Sequence, residues 1–326
     1  LKLSSHIPSI DNLYGQVDFS NKNFVLDNVS GVFLKQPVNF TGGVDKYGST
    51  KINFDGFINT EKMLHFLPDK NFPDIFKILN GNSPFDGTFL KTKLQTKLLI
   101  NSSLKGISIN LPEPLKKEKN EKLSFGLEIL TKNVNLPIKK FQEINIDYGD
   151  SLKLKYLREK AIDKNSNWVF LSGGIGVNQP PPQPISDLSI VADLNYLDIN
   201  KWKEISNLFD SEVFNEFGRY SDLFENYLVP KTVILKTKKL LIFDRLLDDV
   251  DIGGSKKKQG WKFNIKCDQA LGTVLWNFSE NNRDFVDLTA YFKYLVLSDE
   301  NVKNEVKILK NKKRYFDIAK LHIESD

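Results

Sequence analysis

The chain has 326 residues, with 46 Lys and Arg against 41 Asp and Glu, for a net charge of +5. Hydrophobic residues make up 40%, and the 19 glycines bring the apolar share to roughly 46%, ordinary for a folded chain. The 24 Phe, 10 Tyr and 4 Trp are too many aromatics for a solvated coil, and the single Cys267 excludes a disulfide scaffold and a Cys-ligated metal cluster. His6, His65 and His322 lie far apart and leave little for His-based chemistry. No window approaches about 18 consecutive apolar residues, so no transmembrane helix is expected. The chain begins at Leu1 and its one methionine is Met63, which reads as a section of a longer polypeptide.

Period-2 alternation dominates the elements taken in chain order. Ile52, Phe54, Gly56 and Ile58 alternate with Lys51, Asn53 and Asp55, predicting a strand with one dry and one wet face. Thr60–Leu67 and Phe72–Leu79 carry apolar residues at three- and four-residue spacing and predict a helical insertion near 60–80. Thr88 to Ile100 reads as one long strand. Leu90, Leu94, Leu98 and Ile100 fall on its apolar face, and Phe89, Lys91, Lys93, Gln95 and Lys97 on the other. Lys116 to Lys122, after Pro112 and Pro114, reads as a solvated loop. Leu152, Leu154 and Tyr156 then alternate with Lys153 and Lys155.

Ser172 to Gly176 is Gly-rich but lacks the Lys-Ser/Thr of a phosphate loop, so it reads as a strand where another backbone comes close. Gln179 to Pro184 is a polyproline connector and the best boundary between a first section, 1–178, and a second, 185–326. Leu188 and Ile190 open another alternating run with Ala192 and Leu194, and helical spacing follows over Asp198–Phe209 and Phe214–Tyr227, near 198–227. Asp248, Asp249 and Asp251 lack calcium-loop spacing and read as a solvated turn. Gly253 to Gly260 reads as an exposed hairpin loop before Trp261, Phe263 and Ile265, which alternate with Lys262, Asn264 and Lys266. Together these runs predict about fifteen strands in a mostly antiparallel β chain with too few helices to cover its dry faces.

No motif nominates a catalytic set. The chain holds no HExxH and no nucleophile elbow, Cys267 has no neighbouring His, and no pair of carboxylates stands out for glycoside chemistry. No metal, cofactor or catalytic residue is expected. The basic runs Lys256 to Lys258 and Lys310 to Arg314 are short and form no groove-sized stripe, so nucleic acid is not an expected partner.

Several stretches carry a family resemblance. Leu104 to Lys117 (LKGISINLPEPLKK) resembles a strand of the YhdP family in the AsmA-like superfamily, where "S-x-L-x-G" leads to "L-P-x-P-hydrophobic-x-K". Trp168 to Asn178, Leu188 to Ile205, Gly260 to Trp276 and Arg314 to Ile318 resemble further family stretches in the same order. The resemblance implies a non-enzymatic protein of the Gram-negative periplasm, its full-length parent anchored in the inner membrane. It implies a long curled antiparallel sheet forming an elongated apolar groove, which shields phospholipid acyl chains on the way from the inner to the outer membrane.

On that reading the groove residues are Ile52, Phe54, Leu90, Leu94, Leu98, Ile100, Leu152, Leu154, Leu188, Ile190, Trp261 and Phe263. Phospholipids are the expected partner, with a further partner in the periplasm or outer membrane. Two other readings remain open: a scaffold or chaperone for outer-membrane protein assembly, and a glycan-binding or hydrolytic β-protein.

Overall fold

The structure, a computed structural model, describes residues 9–21, 23–64, 78–135, 138–161, 168–183, 187–209, 230–242, 244–258, 260–278, 285–296 and 317–325. The chain divides into two compact units, residues 1–186 with 201–228, and residues 187–200 with 229–326. Both are built of strands.

The first unit contains β1 (Ile10–Phe19), β2 (Phe24–Phe33), β3 (Gln36–Val44), β4 (Thr50–Asn59), β5 (Leu79–Lys91), β6 (Gln95–Ser102), β7 (Ile107–Ile109), β8 (Phe125–Asn135), β9 (Ile138–Tyr148), β10 (Leu152–Ala161) and β11 (Val169–Val177). Residue pairing runs β1-β2-β3-β4-β5-β6-β8-β9-β10-β11, antiparallel throughout, and short β7 pairs with the start of β5. From β3 to β10 these long ladders have no register shift. A residue and its cross-strand partner share a face, so the alternation of each strand adds to that of the next across the whole run. α1 (Thr60–Leu64) follows β4; the remainder of the expected helical insertion, 65–77, lies outside the described residues.

The second unit contains β12 (Leu188–Asp198), β13 (Thr232–Ile242), β14 (Arg245–Lys257), β15 (Gly260–Lys266), β16 (Ala270–Phe278), β17 (Phe285–Leu295) and β18 (Asp317–Ser325), paired in chain order. Two of its ladders, β12–β13 and β17–β18, are parallel, and the others are antiparallel, the pairing expected of most of the chain. A parallel pair needs a long crossover rather than a hairpin, and residues 199–231 and 296–316 supply it. The first crossover opens with α2 (Ile199–Phe209), which from Lys201 on belongs to the first unit; its Asn200 N–H donates to Asp198 Oδ1 at 3.0 Å, a side-chain cap. The expected helix at 214–227 lies outside the described residues.

Four local expectations need correction. Thr88 to Ile100 is two strands, β5 and β6, joined by a turn at 92–94. That turn contains no Gly, Pro or Asn. The Thr92 hydroxyl holds it by accepting from the N–H groups of Leu94 (3.3 Å) and Gln95 (3.2 Å), so the alternation runs on in the sequence while the chain reverses. Within Lys116 to Lys122, Lys117 is not solvated. It is 1% exposed, and its Nζ donates to Ile107 O at 2.7 Å and Glu118 O at 3.0 Å. Asp248, Asp249 and Asp251 lie within β14 rather than in a turn, with Asp251 opposite Lys236 and Lys266. Most of Gly253 to Gly260 is likewise strand, because Gly253–Lys257 continue β14 and Gly260 opens β15.

Among the described residues each unit has one closed cluster, at one end of its strands. In the first, Ile78, Ile107, Ile109 and Tyr148 are buried together, with Leu104, Leu111, Leu115 and Leu123 packed around them. Tyr148 Oη donates to Leu115 O at 2.9 Å, and burial pushes its phenol up to about 12. In the second, Leu240, Val250, Cys267 and Ala270 play that part.

Candidate functional site: a one-sided apolar face

The apolar face of the first unit is assembled strand by strand from the register. Phe40 pairs with Phe54, Phe54 with Gly87, Gly87 with Ile100, and Ile100 with Leu127. Leu127 pairs with Ile146, Ile146 with Leu154, and Leu154 with Ile175. A parallel row runs Ile52, Phe89, Leu98, Ile129, Ile144, Tyr156. Apart from buried Gly87, all of these residues are half-buried, none as deep as the closed cluster. They form a continuous apolar row from β3 to β11.

Glycines let the rings lie flat on this face. A Cβ on Gly87 would stand 2.3 Å from Phe54 Cζ, and one on Gly56 3.3 Å from Phe85 Cε1. Phe54 therefore lies over Gly87, with Phe40 and Phe85 at ring-centroid distances of 6.5 and 6.2 Å. The second unit repeats the device. Phe263 lies over Gly254, where a Cβ would be 2.7 Å from Phe263 Cε1, and stacks on Trp261 with centroids 5.6 Å apart. Its face continues from Phe263 to Val274 to Ala290 on one side, and through Gly254 to Val233 and Ile190 on the other.

Charge divides the two faces of the first unit. Every acidic residue in β3 to β10 falls on the opposite, wet face: Asp55, Asp86, Glu128, Glu143, Asp147 and Glu159. Ion pairs hold several of them there, Lys97–Glu128 at 3.0 Å, Lys155–Glu143 at 2.9 Å and Lys139–Glu159 at 2.7 Å. The hydrogen bond from Lys155 holds the Glu143 carboxyl below its usual range. Such partly exposed pairs add little stability, about 0–1 kcal/mol each.

Of the residues expected to line a groove, Ile52, Phe54, Leu98, Ile100, Leu152 and Leu154 share the dry face of the first unit. Leu188, Ile190, Trp261 and Phe263 share that of the second. Leu90 and Leu94 do not belong with them. Leu90 pairs with Lys51 and Lys97 on the wet face, and Leu94 sits in the turn, 74% exposed. Phe40, Phe85, Phe89, Leu127, Ile129 and Ile144 belong to the face and were missed. Their alternation is blurred by Leu130 and Phe141, apolar residues on the wet side of β8 and β9.

A concavity of about 510 Å³ lies elsewhere, lined mainly from the wet face by Val25, Gly43, Lys51, Asn53, Leu90 and Lys97. It gathers no catalytic set. Among the described residues no group of three His, Cys, Asp or Glu is placed to hold a metal, and no helix is long and apolar enough to cross a membrane.

These features define a mostly β protein organised around one-sided apolar sheets. The YhdP family, described as YhdP protein, matches residues 1–322, and the chain belongs to that family. The family is one of bridge-like lipid transport proteins of the bacterial envelope. No curated protein and no solved structure matches the chain.

Proposed function

We propose that the chain carries phospholipid acyl chains along the dry faces of its sheets, as a section of a periplasmic conduit from the inner to the outer membrane. The observation that carries this reading is a continuous apolar face with half-buried side chains and no carboxylate, spanning β3 to β10. Exposing a methylene to water costs about 0.8 kcal/mol, so moving a sixteen-carbon chain through water costs roughly 13 kcal/mol. A surface that shields the chain and leaves the head group wet removes most of that barrier. It needs no bond-making chemistry and no single indispensable residue. Ile52, Phe54, Leu98, Ile100, Leu152, Leu154, Ile190, Trp261 and Phe263 are the proposed acyl contacts.

Lipid extraction from the purified chain, followed by mass spectrometry, tests the reading. Phospholipid in near-stoichiometric amount is the expected result. A lipid-free protein that also takes up none from vesicles would sink it.

A further inference from the structure

The dry face is not apolar to its edge. At the end of the strands away from the closed cluster, it ends in cations: Lys91, Lys140, Arg158 and Lys160. All lie on the same face as Phe54 and Ile144, since Lys140 pairs with Lys160 and Gln142 with Arg158. On the wet face Lys97, Lys139 and Lys155 are each ion-paired to a carboxylate. The rim cations have none among the described residues, because every acid of β3 to β10 points the other way.

Arg158 is the most organised of the group. Its Nε donates to Gln142 Oε1 at 2.7 Å, and Gln142 Nε2 in turn donates to Thr131 Oγ1 at 2.9 Å. That chain of bonds fixes the guanidinium and leaves its terminal N–H groups for a ligand. The Trp168 ring lies 4.7 Å from the guanidinium carbon and 5.6 Å from Lys160 Nζ, restricting both cations without neutralising them. Burial pulls the guanidinium below its ordinary value, as expected of a half-buried charge with no counter-ion. A fixed, planar, unneutralised Arg beside Lys, at the border of an apolar surface, matches a phosphate with hydrocarbon attached.

We propose that Arg158, Lys160 and Lys140 bind the phosphate of a phospholipid, with Trp168 behind them and the acyl chains lying inward over Tyr156 and Ile144. The inference rests on the transport reading and adds to it a head-group subsite and a polarity: heads at this rim, tails towards the closed cluster. With cations and no acid among the described residues of the face, a lipid of net negative charge is held more tightly than a zwitterionic one.

The test is a titration of the purified chain with fluorescent phosphatidylglycerol, phosphatidylcholine and a diacylglycerol that lacks phosphate. Wild type should bind in that order of affinity. Arg158→Gln with Lys160→Gln should weaken phosphatidylglycerol about tenfold, the scale of one lost charge-assisted hydrogen bond, and leave diacylglycerol unchanged. Arg158→Lys should retain part of the affinity. Lys132→Gln with Lys153→Gln, the same charge change on the wet face, should leave all three lipids unchanged. Equal weakening by the wet-face pair, or none by the Arg158 pair, would overturn the subsite while leaving the transport reading intact. Displacement of phosphatidylglycerol by millimolar inorganic phosphate alone would assign the cations to a free anion and overturn it too. Failure to bind any of the three lipids would overturn both.

Discussion

Ile129 stands at the centre of the dry face, between Leu98 on β6 and Ile144 on β9. Replacing it with Glu puts a carboxylate where β3 to β10 have none. Ile129 is half-buried, so in the free protein the new charge keeps its water and the fold should tolerate it. Bound lipid is different. A hydrated carboxylate strips about three methylenes of contact from an acyl chain, roughly 2.4 kcal/mol at about 0.8 kcal/mol each, or about 50-fold in Kd. The assay pairs a fluorescent-phospholipid titration with thermal unfolding, and Leu99→Glu is the control. Leu99 is the neighbour in sequence of Leu98 and Ile100 but faces the other way, opposite Thr88 and Glu128. Ile129→Glu should lose lipid with little change in Tm, and Leu99→Glu should bind as wild type. Collapse of the fold on Ile129→Glu would refute the reasoning, because it would mean the charge had entered a closed core, where an unpaired ion costs several kcal/mol. Undiminished lipid binding would refute it equally.

Three further predictions concern the frame that holds this face. Tyr148 ties stability to alkaline pH: its phenol is pushed up to about 12 when folded, against about 10 unfolded, so between those values the unfolded chain has lost a proton that the folded chain retains. Its contribution is therefore complete below pH about 10 and is lost as pH rises towards about 12; urea midpoints of Tyr148→Phe should fall less steeply over that window than those of wild type. Lys117→Met removes the donor from the carbonyls of Ile107 and Glu118 and should cost about 1–3 kcal/mol for each acceptor left unpaired, read as a lower Tm. Gly176→Ala places a Cβ 2.1 Å from Gln179 O, and Gly174→Ala one 2.5 Å from Pro182 O. Either change should lift the polyproline segment off β11, seen as faster amide exchange across Val169–Val177 with the closed cluster still protected.

Much of the face was legible in the sequence because a strand writes its two faces in alternate letters. Ile52 and Phe54 against Lys51 and Asn53 is such a case, and the structure keeps it. Reading failed where the chain reversed without the usual punctuation. The Thr92 hydroxyl does the work of a glycine turn, so Leu90 and Leu94 were placed with Leu98 although the reversal had moved them off its face. It failed again at Lys117, where a charged run hides a lysine whose ammonium is solvated by carbonyls rather than by water. Only the neighbouring β7 and Tyr148 make that visible, and both are brought there by pairing between distant segments. The Arg158 rim escaped for the same reason. Lys140, Arg158 and Lys160 are an unremarkable scatter of bases until the register sets them side by side.

The central claim is that the dry face, and not the wet one, meets lipid. A photo-reactive amino acid placed in turn at Ile144 and at Asn145, adjacent residues on opposite faces, measures this in living cells. The account predicts phospholipid adducts at position 144 and none at 145. Protein adducts at 144, or equal lipid labelling at both positions, would contradict it.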